Sequence, residues 1–256
     1  MKKTVLVTGA SSGIGKSFAE EYAKKGFDVV LVARSEDKLM AISKELENKY
    51  NIETYIILAD LSKEYEAKKI HSIVKEKKLS IDILVNNAGY ASNGILTHVK
   101  LPKHHEQIMV NSVAVVDMCY LFIEEMVRNN AGTIINVAST SAFHPIPYMS
   151  IYAATKAFVL SFTEALSIEY KNKGIKIIAI CPGATDTNFF ANGGVSFGSK
   201  RTPKDVVNTT FKGINRGRIS IIDGTNNIFT SIVLTKILLR KNMVKMVGNI
   251  MSKRID

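Results

Sequence analysis

Short apolar runs alternate with longer amphipathic segments along almost the whole chain. Several of the short runs are apolar without polar alternation, which is typical of parallel strands that are covered by helices on both faces. The strands predicted from these runs are residues 4–8, 28–33, 53–59, 83–86, 133–138, 176–180 and 219–222.

The amphipathic segments between the strands have helical spacing. They predict helices near residues 13–25, 36–50, 63–77, 102–128, 150–171 and 203–216. Alternating strands and helices with short connections indicate an α/β fold: a doubly wound parallel sheet of about seven strands with right-handed crossovers and helices on both faces. No internal repeat, low-complexity tract or linker is evident, so residues 1–256 are expected to form a single domain.

Composition agrees with a globular protein of this size. Hydrophobic residues make up 46% of the 256 residues and charged residues 22%, which excludes disorder of the whole chain. Cys119 and Cys181 are too few for a disulfide framework, and both lie in apolar runs. We therefore expect buried, reduced thiols in a cytoplasmic protein.

The formal net charge of +11 fits a nucleic acid, an anionic membrane surface or a phosphorylated small molecule as partner. No zinc-finger spacing or aromatic RNA-reading motif accompanies the lysines, so we expect no nucleic-acid partner. The five histidines have no metal-ligand spacing, and no metal site is predicted. The apolar run at residues 5–7 is too short for a signal peptide, and no uninterrupted apolar run reaches the roughly 18 residues of a membrane span.

The first predicted strand runs into a glycine-rich turn, which an amphipathic helix follows. This order predicts a dinucleotide site, because the glycines allow the backbone to approach a pyrophosphate and the helix N-terminus favours the anion. The alternative is that the glycines only allow the helix to pack on the sheet. The residues assigned to this site are Gly9, Ser11, Ser12, Gly13, Ile14 and Gly15.

The residues at the end of the second predicted strand indicate which dinucleotide binds. An acidic residue there binds the ribose hydroxyls of NAD(H), whereas a nearby arginine accommodates the 2′-phosphate of NADP(H). Ala33 is not acidic, and Arg34 follows it. Arg34, with Ser11, Ser12 or Ser35 as hydroxyl partner, favours NADP(H). The alternative is an exposed arginine that merely precedes a helix.

Polar and small residues also end the third and fourth predicted strands. Asp60, followed by Leu61, can accept a hydrogen bond from an adenine amino group, or it can cap the next helix. Asn87, Ala88 and Gly89 would let a nucleotide lie across the sheet edge, with simple turn formation as the alternative.

A candidate carbonyl site lies further along the chain. Ser139 follows the fifth strand, and Tyr152 and Lys156 are four residues apart, on one face of a predicted helix. A phenol has an unperturbed pKa of about 10, and a nearby ammonium group lowers it toward neutral pH. A tyrosine and a lysine four residues apart also occur by chance on surface helices. Tyr152 and Lys156 therefore indicate a catalytic site only if the chain also binds a cofactor.

The motifs follow one another in the order Gly9-x-x-x-Gly13-x-Gly15, Asp60, Asn86-Asn87-Ala88-Gly89, Asn111, Ser139, Tyr152-x-x-x-Lys156 and Pro182-Gly183. In this order they closely resemble the short-chain dehydrogenase/reductase family in its compact single-domain form, from residue 4 to about residue 190. The resemblance implies a Rossmann fold and an oxidoreductase acting on the CH–OH group of its donor, for which Arg34 predicts NADP(H). Thr155 stands where serine is commoner.

The resemblance also implies residue roles. Tyr152 is the acid/base, and Ser139 hydrogen-bonds the carbonyl oxygen. Lys156 holds the nicotinamide ribose and lowers the tyrosine pKa, and Asn111 helps to position a water that links Lys156 to solvent. A turn that passes the nicotinamide carboxamide is implied at Pro182, Gly183, Thr185 and Thr187. A homodimer or homotetramer, with the helices at 102–128 and 150–171 at an interface, is implied as well.

Substrate specificity in such a fold comes from loops at the C-terminal ends of the strands, here residues 90–99, 142–149 and 186–202. Their apolar side chains predict a hydrophobic carbonyl substrate, such as an acyl chain, a steroid or an aromatic ketone; simple loop packing is the alternative. Glycines in the third loop indicate a mobile lid. Besides Ser139 and Tyr152, the residues assigned to the substrate are Phe143, Met149, Phe189 and Phe190.

Residues 226–256 form an apolar and basic tail with helical spacing. We favour a helix that packs over the substrate pocket or at a subunit interface. The alternative is peripheral contact with an anionic membrane surface.

The leading hypothesis is an NADPH-dependent enzyme that interconverts a carbonyl and a secondary alcohol on a hydrophobic small molecule. The rival is a catalytically idle NADP(H)-sensing protein that acts through a partner or a membrane surface. Asn111, Ser139, Tyr152 and Lys156 argue against the rival, since a binding module does not need all four.

Overall fold

The computed structural model describes residues 2–187, 189 and 201–253. They contain a seven-stranded, all-parallel sheet in the order β3-β2-β1-β4-β5-β6-β7. The predicted doubly wound fold is therefore confirmed. The strand order reverses between β1 and β4, where open sheets of this kind bind ligands at the carboxyl ends of their strands. The strands are β1 (Thr4–Thr8), β2 (Asp28–Ala33), β3 (Thr54–Leu58), β4 (Ile83–Asn86), β5 (Gly132–Val137), β6 (Ile175–Cys181) and β7 (Ser220–Ile222).

Helices cover both faces of the sheet. Successive side chains of a strand point to opposite faces. Val5 and Val7 of β1 accordingly join the core with α1, α2 and α7, and Leu6 joins the core with α3, α5 and α6. Because both faces are buried, the strands have no polar alternation. The helices are α1 (Gly13–Ala23), α2 (Glu36–Tyr50), α3 (Glu66–Glu76), α4 (Leu101–Ile108), α5 (Ala114–Arg128), α6 (Ser150–Glu169), α7 (Pro203–Asn215), α8 (Thr225–Ile228), α9 (Leu234–Ile237) and α10 (Arg240–Ser252).

The helix predicted over residues 102–128 contains a π turn, Met109–Val113, between α4 and α5. Such turns add one residue to a helical turn and occur frequently at functional sites. A second difference concerns α3, which begins at Glu66 rather than near residue 63, because Tyr65 adopts a left-handed φ of 64° that breaks the helix.

The segment Leu101–Arg128 and helix α6 are each long and apolar enough to cross a membrane by length and composition. In this fold they pack on one face of the sheet, where side chains such as Met118 and Val159 are fully buried. This packing accounts for part of their apolar composition, because it buries 56% of the apolar window of Leu101–Arg128 and 39% of that of α6.

After β7 the chain forms α8, a second π turn (Phe229–Val233), α9 and α10. Met243 and Met251 of α10 are buried. Gly248 approaches the loop between β5 and α6 so closely that an added Cβ would lie 3.3 Å from Pro147 Cγ. Helix α10 is therefore packed on the domain, next to the loop that leads to Tyr152.

Candidate active site

A cavity of about 650 Å³ opens at the carboxyl ends of the central strands. Its volume lies within the range of about 300–1,000 Å³ that is usual for ligand sites. Most of the residues assigned from the sequence line it: Gly9, Ser11, Ser12, Gly13, Ile14, Arg34, Asp60, Leu61, Asn87, Ala88, Gly89, Ser139, Tyr152, Lys156, Pro182, Gly183, Thr185, Thr187 and Phe189. The fold thus brings strand ends that are far apart in sequence into one site.

The glycine turn after β1 requires glycine at two positions for different reasons. Gly9 has a φ of 64°, which L side chains rarely adopt. Gly15 has no such constraint and does not line the cavity. A Cβ at Gly15 would collide with the carbonyl oxygen of Gly9 and lie 2.5 Å from Asn87 Nδ2. Gly15 therefore allows α1 to pack against the turn, and its role in cofactor binding is indirect.

Thr8 connects the glycine turn to the end of β4, and the sequence did not single it out. Its hydroxyl oxygen accepts hydrogen bonds from the backbone N–H groups of Asn87 (2.9 Å) and Ala88 (3.0 Å) and donates to the carbonyl of Val85 (3.3 Å). Asn87 Nδ2 donates in return to the carbonyls of Thr8 (2.9 Å) and Gly9 (3.3 Å). Asn87 therefore holds the turn in shape, besides lining the cavity.

Two cations lie at the end of the cavity next to β2. Arg34 lines it as expected, and so does Lys38, which lies in the first turn of α2. Ser11, Ser12 and Ser35 line the same region. The available sequence signal for Lys38 was its position in the first turn of the predicted helix that follows Arg34. Two cations with hydroxyl groups form a donor set that suits a phosphate group.

Asp60 lies at the same end of the cavity. Its carboxylate accepts hydrogen bonds from the backbone N–H (3.2 Å) and the hydroxyl (2.8 Å) of Ser62, so it stabilises a turn and does not cap α3. Burial raises the pKa of Asp60, but the hydrogen bonds from Ser62, with Arg34 and Lys63 nearby, lower it on balance. Asp60 is thus an ionised acceptor at neutral pH.

Tyr152 and Lys156 project from α6 toward the end of β5, and each is only 4% exposed. Lys156 Nζ donates to the carbonyl of Val137, the last residue of β5, at 2.7 Å. Ser139 follows in extended conformation, and its hydroxyl accepts from the Ser141 N–H at 3.1 Å. Burial raises the pKa of Tyr152 to about 12, although its hydrogen bond with Ser139 acts in the opposite direction.

Burial also lowers the pKa of Lys156 to about 8. The ammonium group lies 6.0 Å from the centre of the Tyr152 ring. In the chain by itself burial therefore dominates the pKa of Tyr152, and the residues alone do not have the lowered tyrosine pKa implied by the family resemblance. The physical reason is that both side chains are desolvated, which disfavours their charged forms.

Asn111 lies inside the π turn, is fully buried and does not line the cavity. Its amide nitrogen donates to the carbonyl of Tyr90 (3.0 Å) and to Thr155 Oγ1 (3.1 Å), and its oxygen accepts from the Tyr90 N–H (3.1 Å). Thr155 in turn donates to the carbonyl of Tyr152 at 2.8 Å. The side chain of Asn111 thus positions α6, and the hydroxyl of Thr155 links it to the carbonyl of Tyr152.

Residues outside the predicted segment Pro182 to Thr187 hold the turn after β6 in place. Thr185 pairs with Arg201 in an isolated parallel bridge, and its hydroxyl donates to the carbonyl of Gly183 at 3.0 Å. Arg201 forms an ion pair with the buried Asp223, with 2.6 Å between Nε and Oδ2. These contacts fix the strand end that carries Pro182 to Thr187 against the rest of the cavity wall.

The end of the cavity beyond Tyr152 is largely apolar. It is lined by Ile146, Phe189, Val247, Ile250 and Met251, of which the last three belong to α10. The sequence assigned only Phe189 to the substrate here. Ile146 lies in the predicted substrate loop 142–149, and Val247, Ile250 and Met251 lie in the tail that was expected to pack over the substrate pocket; these four residues were not assigned to the substrate individually.

The remaining substrate assignments have different outcomes. Met149 does not line the cavity but packs behind it, against Tyr152 and Met251. Phe143 does not line the cavity: it lies just after the short 3₁₀ turn Thr140–Ala142 and packs, partly buried, against the core cluster that includes residues of α5 and α6. Phe190 and the glycines of the predicted lid lie outside the described residues.

The donor set fits a dinucleotide. A glycine turn leads into a helix N-terminus, Arg34 and Lys38 suit a phosphate, and the buried Lys156 lies beside Ser139 and Tyr152 in the same cavity.

Comparison with known proteins agrees with this geometry. A family model described as short chain dehydrogenase matches residues 3–194. A very-long-chain 3-oxoacyl-CoA reductase of Danio rerio is 40% identical over 184 residues, covering 70% of this chain and 58% of the relative. The chain therefore spans less than two thirds of the length of this relative.

Solved structures match nearly the whole chain. A short-chain dehydrogenase from Sphingobium yanoikuyae in complex with NADPH is 30% identical, with a TM-score of 0.84 and coverage of 95% of both chains. A 7β-hydroxysteroid dehydrogenase is 26% identical, with a TM-score of 0.88 and coverage of 96% of both chains. The chain belongs to the short-chain dehydrogenase/reductase family.

Proposed function

We propose that this member of the short-chain dehydrogenase/reductase family is an NADPH-dependent reductase that interconverts a ketone and a secondary alcohol on a hydrophobic substrate. The observation that carries the proposal is the continuity of one cavity. It joins Arg34 and the glycine turn to Ser139, Tyr152 and Lys156, and then to an apolar end under α10.

The cofactor proposal rests on charge. NADPH carries a 2′-phosphate that NADH lacks. Arg34 and Lys38 line the end of the cavity next to the last residue of β2, Ala33, which is not acidic. Lys156, buried and within reach of the β5 carbonyl, would hold the nicotinamide ribose. A bound nicotinamide would supply the hydride. The complex of the Sphingobium yanoikuyae relative with NADPH supports this assignment.

Tyr152 would donate the proton to the substrate oxygen. With a pKa of about 12 in the chain alone, the phenol is fully protonated at neutral pH and ready to act as an acid. Ser139, next to it at the end of β5, would donate a second hydrogen bond to the same oxygen. Negative charge that develops on the oxygen is thereby stabilised by preorganised donors in a buried site.

The apolar end of the cavity supports an acyl chain as the hydrophobic part of the substrate, and the name of the Danio rerio relative points to a 3-oxoacyl thioester. Such a substrate has a second carbonyl near the ketone. His144 lines the cavity, and its buried Nδ1 has no hydrogen-bond partner among the described residues. An unpaired buried polar group costs about 1–3 kcal/mol. In the imidazole tautomer that carries its hydrogen on Nδ1, His144 would donate a hydrogen bond to the thioester carbonyl.

The first experiment is a panel of 3-oxoacyl thioesters of increasing chain length, steroid ketones and simple ketones, followed by loss of NADPH absorbance. We expect turnover to improve with the length of the apolar chain. Tyr152→Phe should lower turnover by about 10²- to 10⁴-fold, since it removes the proton donor, while NADPH binding measured by fluorescence is retained.

Two results would contradict the proposal. Normal turnover of the Tyr152→Phe variant would exclude the tyrosine as proton donor. NADPH binding without turnover of any carbonyl compound would favour the idle sensor instead. His144→Leu separates the substrate classes, because it should raise the KM of a 3-oxoacyl thioester and leave that of a simple ketone unchanged.

We also propose that the chain forms a homo-oligomer through α5 and α6. Tyr120 is 74% exposed on α5, and Phe158 and Ile168 are exposed on α6. Analytical ultracentrifugation tests this. Tyr120→Ser together with Phe158→Ser should shift the chain toward the monomer, and an unchanged mass distribution would contradict the assignment.

A further inference from the structure

The solvent side of the last helices carries large apolar side chains. Phe229, Ile232, Val233 and Ile237 recur at spacings of three, one and four, which places them along one side of the helical segment from α8 to α9. Phe229 is 56% exposed and Ile237 71%. Leu239, which leads into α10, is 75% exposed. In most water-facing helices this side is polar, so these residues indicate a surface that another phase or molecule covers.

The same region is strongly basic. Residues 224–255 contain six lysines and arginines and no aspartate or glutamate. Lys236, Arg240 and Lys241 are exposed and flank Ile237 and Leu239 in the chain. We call the surface formed by Phe229, Ile232, Val233, Ile237 and Leu239 with Lys236, Arg240, Lys241 and Lys245 the tail surface.

We infer that the tail surface binds peripherally to an anionic lipid bilayer. An apolar stripe with flanking cations lies at the boundary between headgroups and acyl chains, where the apolar side chains are buried and the cations contact lipid phosphates. A second copy of this chain fits less well. A symmetric interface between identical copies would bring the same cations together, with no acidic residue between 224 and 255 to pair with them.

Binding of the tail surface to a bilayer would bring the apolar end of the cavity close to the membrane. Ile250 of α10 lines the apolar end of the cavity and is also 44% exposed, so the wall of the cavity reaches the surface on α10. Val247 and Met251 continue the wall inward. A membrane-bound chain would therefore hold this wall near the bilayer, from which an apolar substrate can enter. The binding itself does not depend on the proposed reaction.

The test is flotation of the full chain with vesicles of phosphatidylcholine alone and with vesicles containing about one third phosphatidylserine. We expect flotation with the anionic vesicles only, reduced by high salt. Lys236→Gln with Lys241→Gln should lower the partition coefficient about 25-fold, from about fivefold per cation. Ile237→Ser with Leu239→Ser should lower it as well. These side chains face solvent, so circular dichroism should be unchanged.

Matched control variants remove two lysine charges, or two exposed apolar side chains, outside the tail surface. Lys44→Gln with Lys68→Gln changes the net charge equally, and Met40→Ser with Leu101→Ser removes two exposed apolar side chains. Both controls should float like the wild type. Absence of flotation with anionic vesicles would overturn the proposal, and so would equal losses in tail-surface and control variants. Concentration-dependent self-association that Ile237→Ser with Leu239→Ser abolishes, without vesicle binding, would identify the surface as an interface between copies.

Discussion

Removal of Arg34 should change the cofactor preference more than any other property of this chain. Arg34 and Lys38 both line the cavity at the end of β2, where Ala33 occupies the position at which an acidic residue would bind the ribose hydroxyls of NADH. The 2′-phosphate is the group that distinguishes the two cofactors, so the variants Arg34→Ala and Lys38→Ala should affect NADPH and spare NADH.

The size of the effect follows from the exposure of the two side chains. A hydrogen bond to a charged group contributes about 1.5–3 kcal/mol, and exposed pairs fall at or below the lower end. Arg34 and Lys38 are both exposed. Each variant should therefore lose about 1.5 kcal/mol of NADPH binding, which is about a tenfold loss in kcat/KM. Because both cations face one phosphate, the double variant should lose less than the product of the two single losses.

The assay is the steady-state rate with one ketone and varied NADPH or NADH. We expect the ratio of kcat/KM for the two cofactors to fall about tenfold in Arg34→Ala, mainly through the KM for NADPH. Lys44→Ala is the matched control, since Lys44 lies on the same helix but does not line the cavity. Equal losses with NADPH and NADH would refute the assignment of this end of the cavity to the 2′-phosphate.

Three further predictions concern the remaining parts of the site. From about pH 8 to 10.5 the free energy of unfolding of the wild type should rise relative to that of Lys156→Met. Burial lowers the folded-state pKa of Lys156 from 10.5 to about 8, so the unfolded chain binds more protons in this range. A difference in unfolding free energy between the two proteins that stays constant with pH in urea titrations would contradict this prediction. Thr155→Ser should keep wild-type turnover, whereas Thr155→Val should lose about 1 kcal/mol of stability and part of kcat, since it breaks the contacts with Asn111 and the Tyr152 carbonyl. Gly15→Ala should destabilise the chain by about 1–3 kcal/mol in thermal unfolding, because the alanine methyl group would overlap the glycine turn. An unchanged Tm would show that the backbone of the turn moves to accommodate the methyl group, and would contradict this prediction.

The fold was predictable because the sheet is buried on both faces. Such strands are short apolar runs, and their boundaries fall within one or two residues of the predicted ones, as for β1 and β2. The π turn at Met109–Val113 was not predictable. A change of hydrogen-bond register over five residues leaves the apolar spacing on either side nearly unchanged, so the pattern indicates one continuous helix.

The cofactor end of the site was predictable for a related reason. Its residues sit at strand ends or in the first turn of a helix, so their direction is set by local backbone structure. Lys38 was within reach of the same reasoning, because it lies in the first turn of the helix that follows Arg34. The direction of Phe143, by contrast, depends on the 3₁₀ turn before it, and a loop sequence does not specify such a turn.

The substrate end depends on contacts between distant parts of the chain, and this links the tail to the chemistry. Tyr152 packs in one cluster with Met149 and Met251, and Met251 belongs to α10. The raised pKa of Tyr152 comes from its burial, so part of the environment that keeps the phenol protonated is supplied about 100 residues further along the chain. The tail therefore contributes to the surroundings of the proposed proton donor as well as to the apolar wall of the cavity. The tail surface includes the start of α10, and the same helix carries Met251, which packs in one cluster with Tyr152.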